Sequence, residues 1–101
     1  MNVTNKPVLQ QYAAQHPQAQ AVFGTFLTKL EHCTARDFQQ LVETFPRCDR
    51  VPNRNGPAYY IFNVGGNNHR VVAHVQFGDQ VIIIRHAFSH AQYDDWCANQ
   101  R

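Results

Sequence analysis

Residues His69 to Trp96 read HRVVAHVQFGDQVIIIRHAFSHAQYDDW. Two β-branched, apolar runs flank Gly78-Asp79, which is the pattern of an antiparallel hairpin closed by a two-residue loop. In that register Phe77 faces Gln80, Val72 faces Arg85 and Arg70 faces Ala87. One surface of the pair carries Val71, Ala73, Val75 and Phe77 beside Ile82, Ile84 and His86, apolar enough to rest on a helical layer. The other carries Arg70, Val72, His74 and Gln76 beside Val81, Ile83 and Arg85. A slip of one residue would exchange the two surfaces, because side chains alternate along a strand. Arg70 and Arg85 are then diagonal neighbours on one surface, within reach of a common anion.

The same stretch ends in a change of period. Ser89 followed three residues later by Gln92 fits a capping box, so a helix starts at His90 and Tyr93 stands one turn on, on the same side. A helix start offers free N–H groups and a partial positive charge, and both attract phosphate. It also favours neutral imidazole, which takes up a proton. The corner formed by Arg70, Arg85, His90 and Tyr93 therefore has the groups that metal-free RNA cleavage needs: a base for the 2′-hydroxyl, cations for the charge on phosphorus, and an acid for the leaving oxygen. Each residue also has an ordinary reading. A histidine at a helix start is commonly a surface group, a tyrosine one turn on a core residue bonded through its hydroxyl, and an arginine on a strand a solvated charge. Arg85 follows three isoleucines and needs an anion, either Asp94, Asp95 or a ligand.

Upstream, the chain reads as helices. Asn5 is placed to cap a helix with Pro7 in its first turn and Leu9, Tyr12 and Ala13 on one face. Pro17 ends it. Ala19, Val22, Phe23, Phe26, Leu27 and Leu30 follow at spacings of three and four, a wide apolar stripe. Thr34 with Asp37 starts a third helix, buried through Phe38, Leu41, Val42 and Phe45 and stopped by Pro46. Arg47 to Pro57 reads as a loop, and AYYIFNV opens the strand half of the chain. The GGNN at Gly65 to Asn68 is a hairpin turn. It lacks the Lys-Ser/Thr and following helix of a phosphate loop. The expected class is α+β: N-terminal helices on a three-stranded, possibly four-stranded, antiparallel sheet with a short C-terminal helix, forming one domain over residues 1–101.

Composition narrows the function classes. Hydrophobic residues make up 44% and charged residues 16% of the chain, which excludes wholesale disorder. The net charge of +2 is unevenly placed. Arg70, Arg85 and four histidines meet Asp79 alone between Val64 and Tyr93, and Arg47, Arg50 and Arg54 crowd one loop with Asp49. Such asymmetry guides an anionic partner. Three widely spaced cysteines argue against a disulfide framework and for a reducing compartment. No run approaches the ~20 apolar residues of a membrane span, so a cytoplasmic protein with no membrane partner is expected. His86 and His90 have a spacing that binds zinc on a helix but here crosses a strand end, so neither metal nor cofactor is expected.

At these residues the chain resembles a known family. FNVGGNNHRVVAHV followed by VIIIRHAFSHAQYD is similar to the HigB family of toxins, a branch of the RelE-like messenger-RNA endonucleases of toxin–antitoxin pairs. The family pattern runs FN-[IV]-GGN-x-x-R-[LV]-V, then YIR, then THxEYD. It is matched here by Phe62, Asn63, Gly65, Gly66, Asn67, Arg70, Val72, Arg85, His90, Tyr93 and Asp94. Phe88 departs from the common glycine, Gln92 from the usual glutamate, and His69 from tyrosine or leucine. The resemblance implies a ribosome-dependent endoribonuclease that enters the ribosomal A site and cuts messenger RNA. It also implies a HigA-like helix-turn-helix antitoxin as partner, with operator DNA bound only through that complex. Arg70 and Arg85 would hold the scissile phosphate, His90 would move a proton, and Tyr93 would stack or bond. Asn67, His69 and His74 would contact RNA, and Arg47, Arg50 and Arg54 would dock on ribosomal RNA. The alternatives are a non-catalytic RNA- or protein-binding module using the same basic face, and a structural subunit that uses its helical grooves.

Overall fold

The computed structural model describes residues 1–66 and 68–100. The N-terminal half is helical, as its periodicity predicts: α1 spans Pro7–Gln15, α2 spans Gln20–His32 after a 3-10 turn at Pro17–Ala19, and α3 spans Phe38–Thr44. Asp37 caps α3 by accepting a hydrogen bond from the Gln40 backbone N–H at 2.8 Å. Asn5 does not cap α1. It adopts a left-handed conformation (φ 65°), and its amide donates to the Ile84 carbonyl at 2.8 Å, tying the approach to α1 onto the sheet.

Among the described residues, five strands form one sheet: β1 (Asn2–Thr4), β2 (Asp49–Val51), β3 (Tyr59–Val64), β4 (His69–Gln76) and β5 (Val81–Ser89), in the order β1-β5-β4-β3-β2. The central meander is antiparallel as expected, but the sheet is mixed and wider than the three or four strands anticipated. β1 runs parallel to β5, with Val3 opposite Ile82, and β2 adds antiparallel to β3 from within the segment expected to be loop. Both additions are three residues long, too short for alternation to show, and each is defined by its partner rather than by its own sequence.

The β4–β5 hairpin begins in the expected register. The Gln80 N–H bonds the Phe77 carbonyl across Gly78-Asp79, and the pairs run through Val75 with Ile82 to Ala73 with Ile84. A β-bulge then intervenes, because Val72 pairs with His86 rather than Arg85, and Arg70 with Phe88 rather than Ala87. Arg85 is the extra residue. The bulge rotates everything beyond it, so His86, expected on the helical face, instead stacks on Phe88 and approaches Trp96 on the other. The β3–β4 turn needs Gly65, whose φ is +64° and where a Cβ would lie 3.2 Å from the His69 ring.

Two apolar layers flank the sheet. On one face Phe23, Phe26, Leu30 and Leu41 pack on Phe62, Val71, Ile82 and Ile84, all buried. Each such side chain contributes about 1.5–3 kcal/mol by leaving water. On the opposite face Val51, Ile61 and Val72 are covered by Phe88, Tyr93 and Trp96. Tyr93 and Trp96 belong to α4 (His90–Gln100), so the C-terminal helix closes the back of the sheet.

Candidate functional site

The capping box forms as its spacing predicts. The Ser89 N–H donates to Gln92 Oε1 at 2.9 Å, and the Gln92 N–H donates to Ser89 Oγ at 3.3 Å. With its first turn fixed, α4 holds the Tyr93 ring over Arg70, whose guanidinium carbon lies 5.7 Å from the ring centroid. Arg70 is only 9% exposed, and its Nη1 donates to the His69 carbonyl at 3.2 Å. Desolvation strengthens a cation–π contact of this kind and restricts where the guanidinium can go.

Arg70 and Tyr93 line a depression of about 450 Å³ together with Arg47, Asp49, Ile61 and Asn63. The sheet explains the grouping, since Arg70 pairs with Asn63 and Ile61 with Asp49, so all four point to the α4 side. Cys48 also lines it. Burial, and then the neighbouring Asp49 carboxylate, push its thiol up to about 12, so it remains protonated and is no nucleophile.

The four residues expected at one corner do not line a single depression. Arg85 is exposed and lines a second depression of about 270 Å³, with Tyr12 and His16 on one side and Phe88 and Gln92 on the other. The bulge places it there, on the stretch of β5 beyond Ile83 that β1 does not cover. The first turn of α4 contributes to both depressions, Tyr93 to one and Gln92 to the other. His90 begins that turn and is exposed; its Nδ1 lies 3.2 Å from Asp94 Oδ2. Among the described residues neither Asp94 nor Asp95 forms an ion pair with Arg85.

The residues expected to contact RNA are dispersed. His69 is 5% exposed and sits on the core face, its Nδ1 2.7 Å from the Tyr12 hydroxyl. Burial, and secondarily His16, hold its pKa below the ordinary histidine value. The RNA contact expected of His69 thus falls on a buried ring of the helix-packed face. His74 bonds the Ala58 carbonyl through Nδ1 and stacks on Tyr59, near the far end of β4. Arg50 and Arg54 are exposed beyond the depression, whereas Arg47 belongs to it. Asn67 lies outside the described residues. Asn63 and Asp49 were not singled out as site residues. Alternation along AYYIFNV could have placed Asn63 beside Arg70, but Asp49 depends on β2.

The profile of the family described as the RelE-like toxic component of a toxin–antitoxin system, HigB toxin, matches residues 19–96. The chain belongs to the HigB toxin family. It is 32% identical over its whole length to the mRNA interferase toxin HigB of Escherichia coli K12, covering 95% of that protein. It is 26% identical over 93% of its length to an mRNA interferase HigB of Escherichia coli O6:H1, covering 89% of that one. The matched segment runs from the start of α2 into α4, so Arg47, Arg70, Arg85, His90 and Tyr93 all fall within the part of this HigB-family chain that defines the likeness. Among the described residues no helix is long and apolar enough to cross a membrane.

Proposed function

We propose that this HigB-family toxin cuts messenger RNA in the ribosomal A site, by attack of a 2′-hydroxyl on the adjacent phosphorus and with no metal ion in the reaction. The observation that carries the reading is the Arg70 guanidinium held over the Tyr93 ring in an open depression shared with Arg47 and Asn63. A purely structural role would account for α4 covering Arg70. Arg47 lines the same opening and adds a second guanidinium on the path of an anion. The names of the relatives, mRNA interferases, support the choice of substrate.

In this scheme the 2′-hydroxyl loses its proton and its oxygen bonds to phosphorus. The bond from phosphorus to the 5′-oxygen breaks, and that oxygen takes a proton, leaving a cyclic phosphate and a 5′-hydroxyl. Arg70 binds the non-bridging oxygens, where charge builds up in the transition state. Tyr93 restrains Arg70 and bonds the phosphate through its hydroxyl. His90 transfers a proton through Nε2, since Asp94 engages Nδ1. Arg85 holds the next phosphate from the neighbouring depression, and the RNA crosses the first turn of α4 between the two. Arg50 and Arg54 dock on ribosomal RNA. A HigA-like helix-turn-helix antitoxin silences the toxin, and operator DNA is bound only through that complex.

Induced alone, the protein is expected to arrest growth. Arg70→Ala, soluble and folded, is expected to abolish the arrest, since loss of one such group costs on the order of 100-fold or more in rate. Normal growth with soluble wild-type protein would overturn the reading.

A further inference from the structure

Next to the Arg70 depression lies another, of about 360 Å³, lined by Lys29, Phe45, Phe62 and Gly66. Pro46, Arg47, Cys48 and Asn63 line both, so the two depressions adjoin. Taken together they make a candidate channel from Tyr93 and Arg70, past Arg47, to Lys29 on α2. Among the described lining residues it has three cations, and Asp49 is the one carboxylate. Lys29 is exposed, yet its Nζ lies 5.2 Å from the centroid of the Phe45 ring, which holds the long side chain at the rim. We infer that this channel carries the RNA strand away from the cut and that Lys29 holds the backbone phosphate of a flanking nucleotide.

The chemistry of the walls favours a phosphate over a base at this position. Phe45 is 9% and Phe62 1% exposed, so neither presents a ring face for stacking. What the far end of the channel offers is a compact ammonium charge, which suits a phosphate met from any direction. The buried thiol of Cys48 stays protonated and adds no negative charge to the path. The inference rests on the RNA-cleaving reading for the identity of the strand, and its test is independent of cutting.

The full-length protein is titrated with a single-stranded 2′-O-methyl RNA oligonucleotide, which 2′-hydroxyl attack cannot cleave, over a series of salt concentrations. Each phosphate contact contributes about 0.7 to the slope of log affinity against log salt for a single strand. Lys29→Gln is expected to make the slope shallower by about that amount, and Lys29→Arg to restore it. Lys6→Gln removes the same charge from a lysine that pairs with Glu31 and lines neither depression, and is expected to leave the slope unchanged. An unchanged slope in Lys29→Gln, or equal losses in Lys29→Gln and Lys6→Gln, would overturn the inference. So would a wild-type protein that does not bind the oligonucleotide at low salt, or a poly-glutamate peptide that loses more affinity than the RNA. A wild-type protein that binds through Lys29 but leaves messages intact would overturn the endonuclease reading and spare the phosphate contact at Lys29.

Discussion

His69 is one of two histidines, with His86, whose pKa the fold lowers, in both cases chiefly by burial. In the Nε2–H tautomer its Nδ1 accepts from the Tyr12 hydroxyl, which burial keeps protonated, while Tyr12 and Phe23 enclose the ring. Because the folded state depresses the His69 pKa, folding favours the neutral ring. The resulting stability is present above the ordinary histidine value near 6.5 and is lost as pH falls through the lower, folded value. Thermal melting from pH 7.5 down to 5 is expected to show a declining Tm, with the decline reduced in His69→Leu. An identical decline in that variant would assign the effect elsewhere. Tyr12→Phe leaves a buried Nδ1 without its partner and is expected to cost about 1–3 kcal/mol at neutral pH. At the same scale Arg70 shows how ordinary and functional readings coincide. It is nearly buried and held by a backbone carbonyl and an aromatic ring, yet it lines an opening where an anion can reach it.

The first turn of α4 shapes the candidate site, because it carries His90 and Tyr93 and closes the capping box with Ser89 at the end of β5. Ser89→Ala removes the Oγ acceptor and is expected to cost about 1 kcal/mol, or roughly 4–8 °C in Tm for a domain of this size. Activity should fall further than that loss of stability implies, since Tyr93 and His90 lose their fixed start. A variant with the expected Tm but undiminished activity would show that the cap serves folding alone. This element was legible in the sequence because its signal is local: serine, three residues, glutamine. The helical stripes and the start of the β4–β5 register were legible for the same reason. The strands at the sheet margins were not. Asn2–Thr4 pairs with residues almost the whole chain away, and Asp49–Val51 sits among turn-forming residues. The bulge at Arg85 was also hidden, since nothing in VIIIRHAF marks an extra residue. That single irregularity separated two arginines expected side by side and moved His86 to the other face.

At the scale of the whole molecule, the sheet lies between α1 to α3 on one face and α4 on the other. The larger layer holds most of the buried side chains, and the smaller one, built on Val51, Ile61 and Val72, lies beneath the Arg70 depression. Trp96 touches Tyr59, His86, Phe88 and Tyr93, so it anchors α4. Trp96→Ala is expected to cost about 2 kcal/mol of apolar burial, lowering Tm while the chain still folds. A variant that does not fold at all would show that the two layers are one cooperative core. The central claim joins all three scales: Arg70, positioned by the sheet and roofed by α4, stabilises a phosphodiester of messenger RNA as it breaks. The most direct measurement maps RNA ends in cells expressing the wild-type protein or Arg70→Ala at equal soluble levels. The account predicts discrete new 5′-hydroxyl ends within translated messages for the wild type, lost or reduced about 100-fold in the variant. No new ends with the wild type, or the same ends at the same abundance with Arg70→Ala, would contradict it.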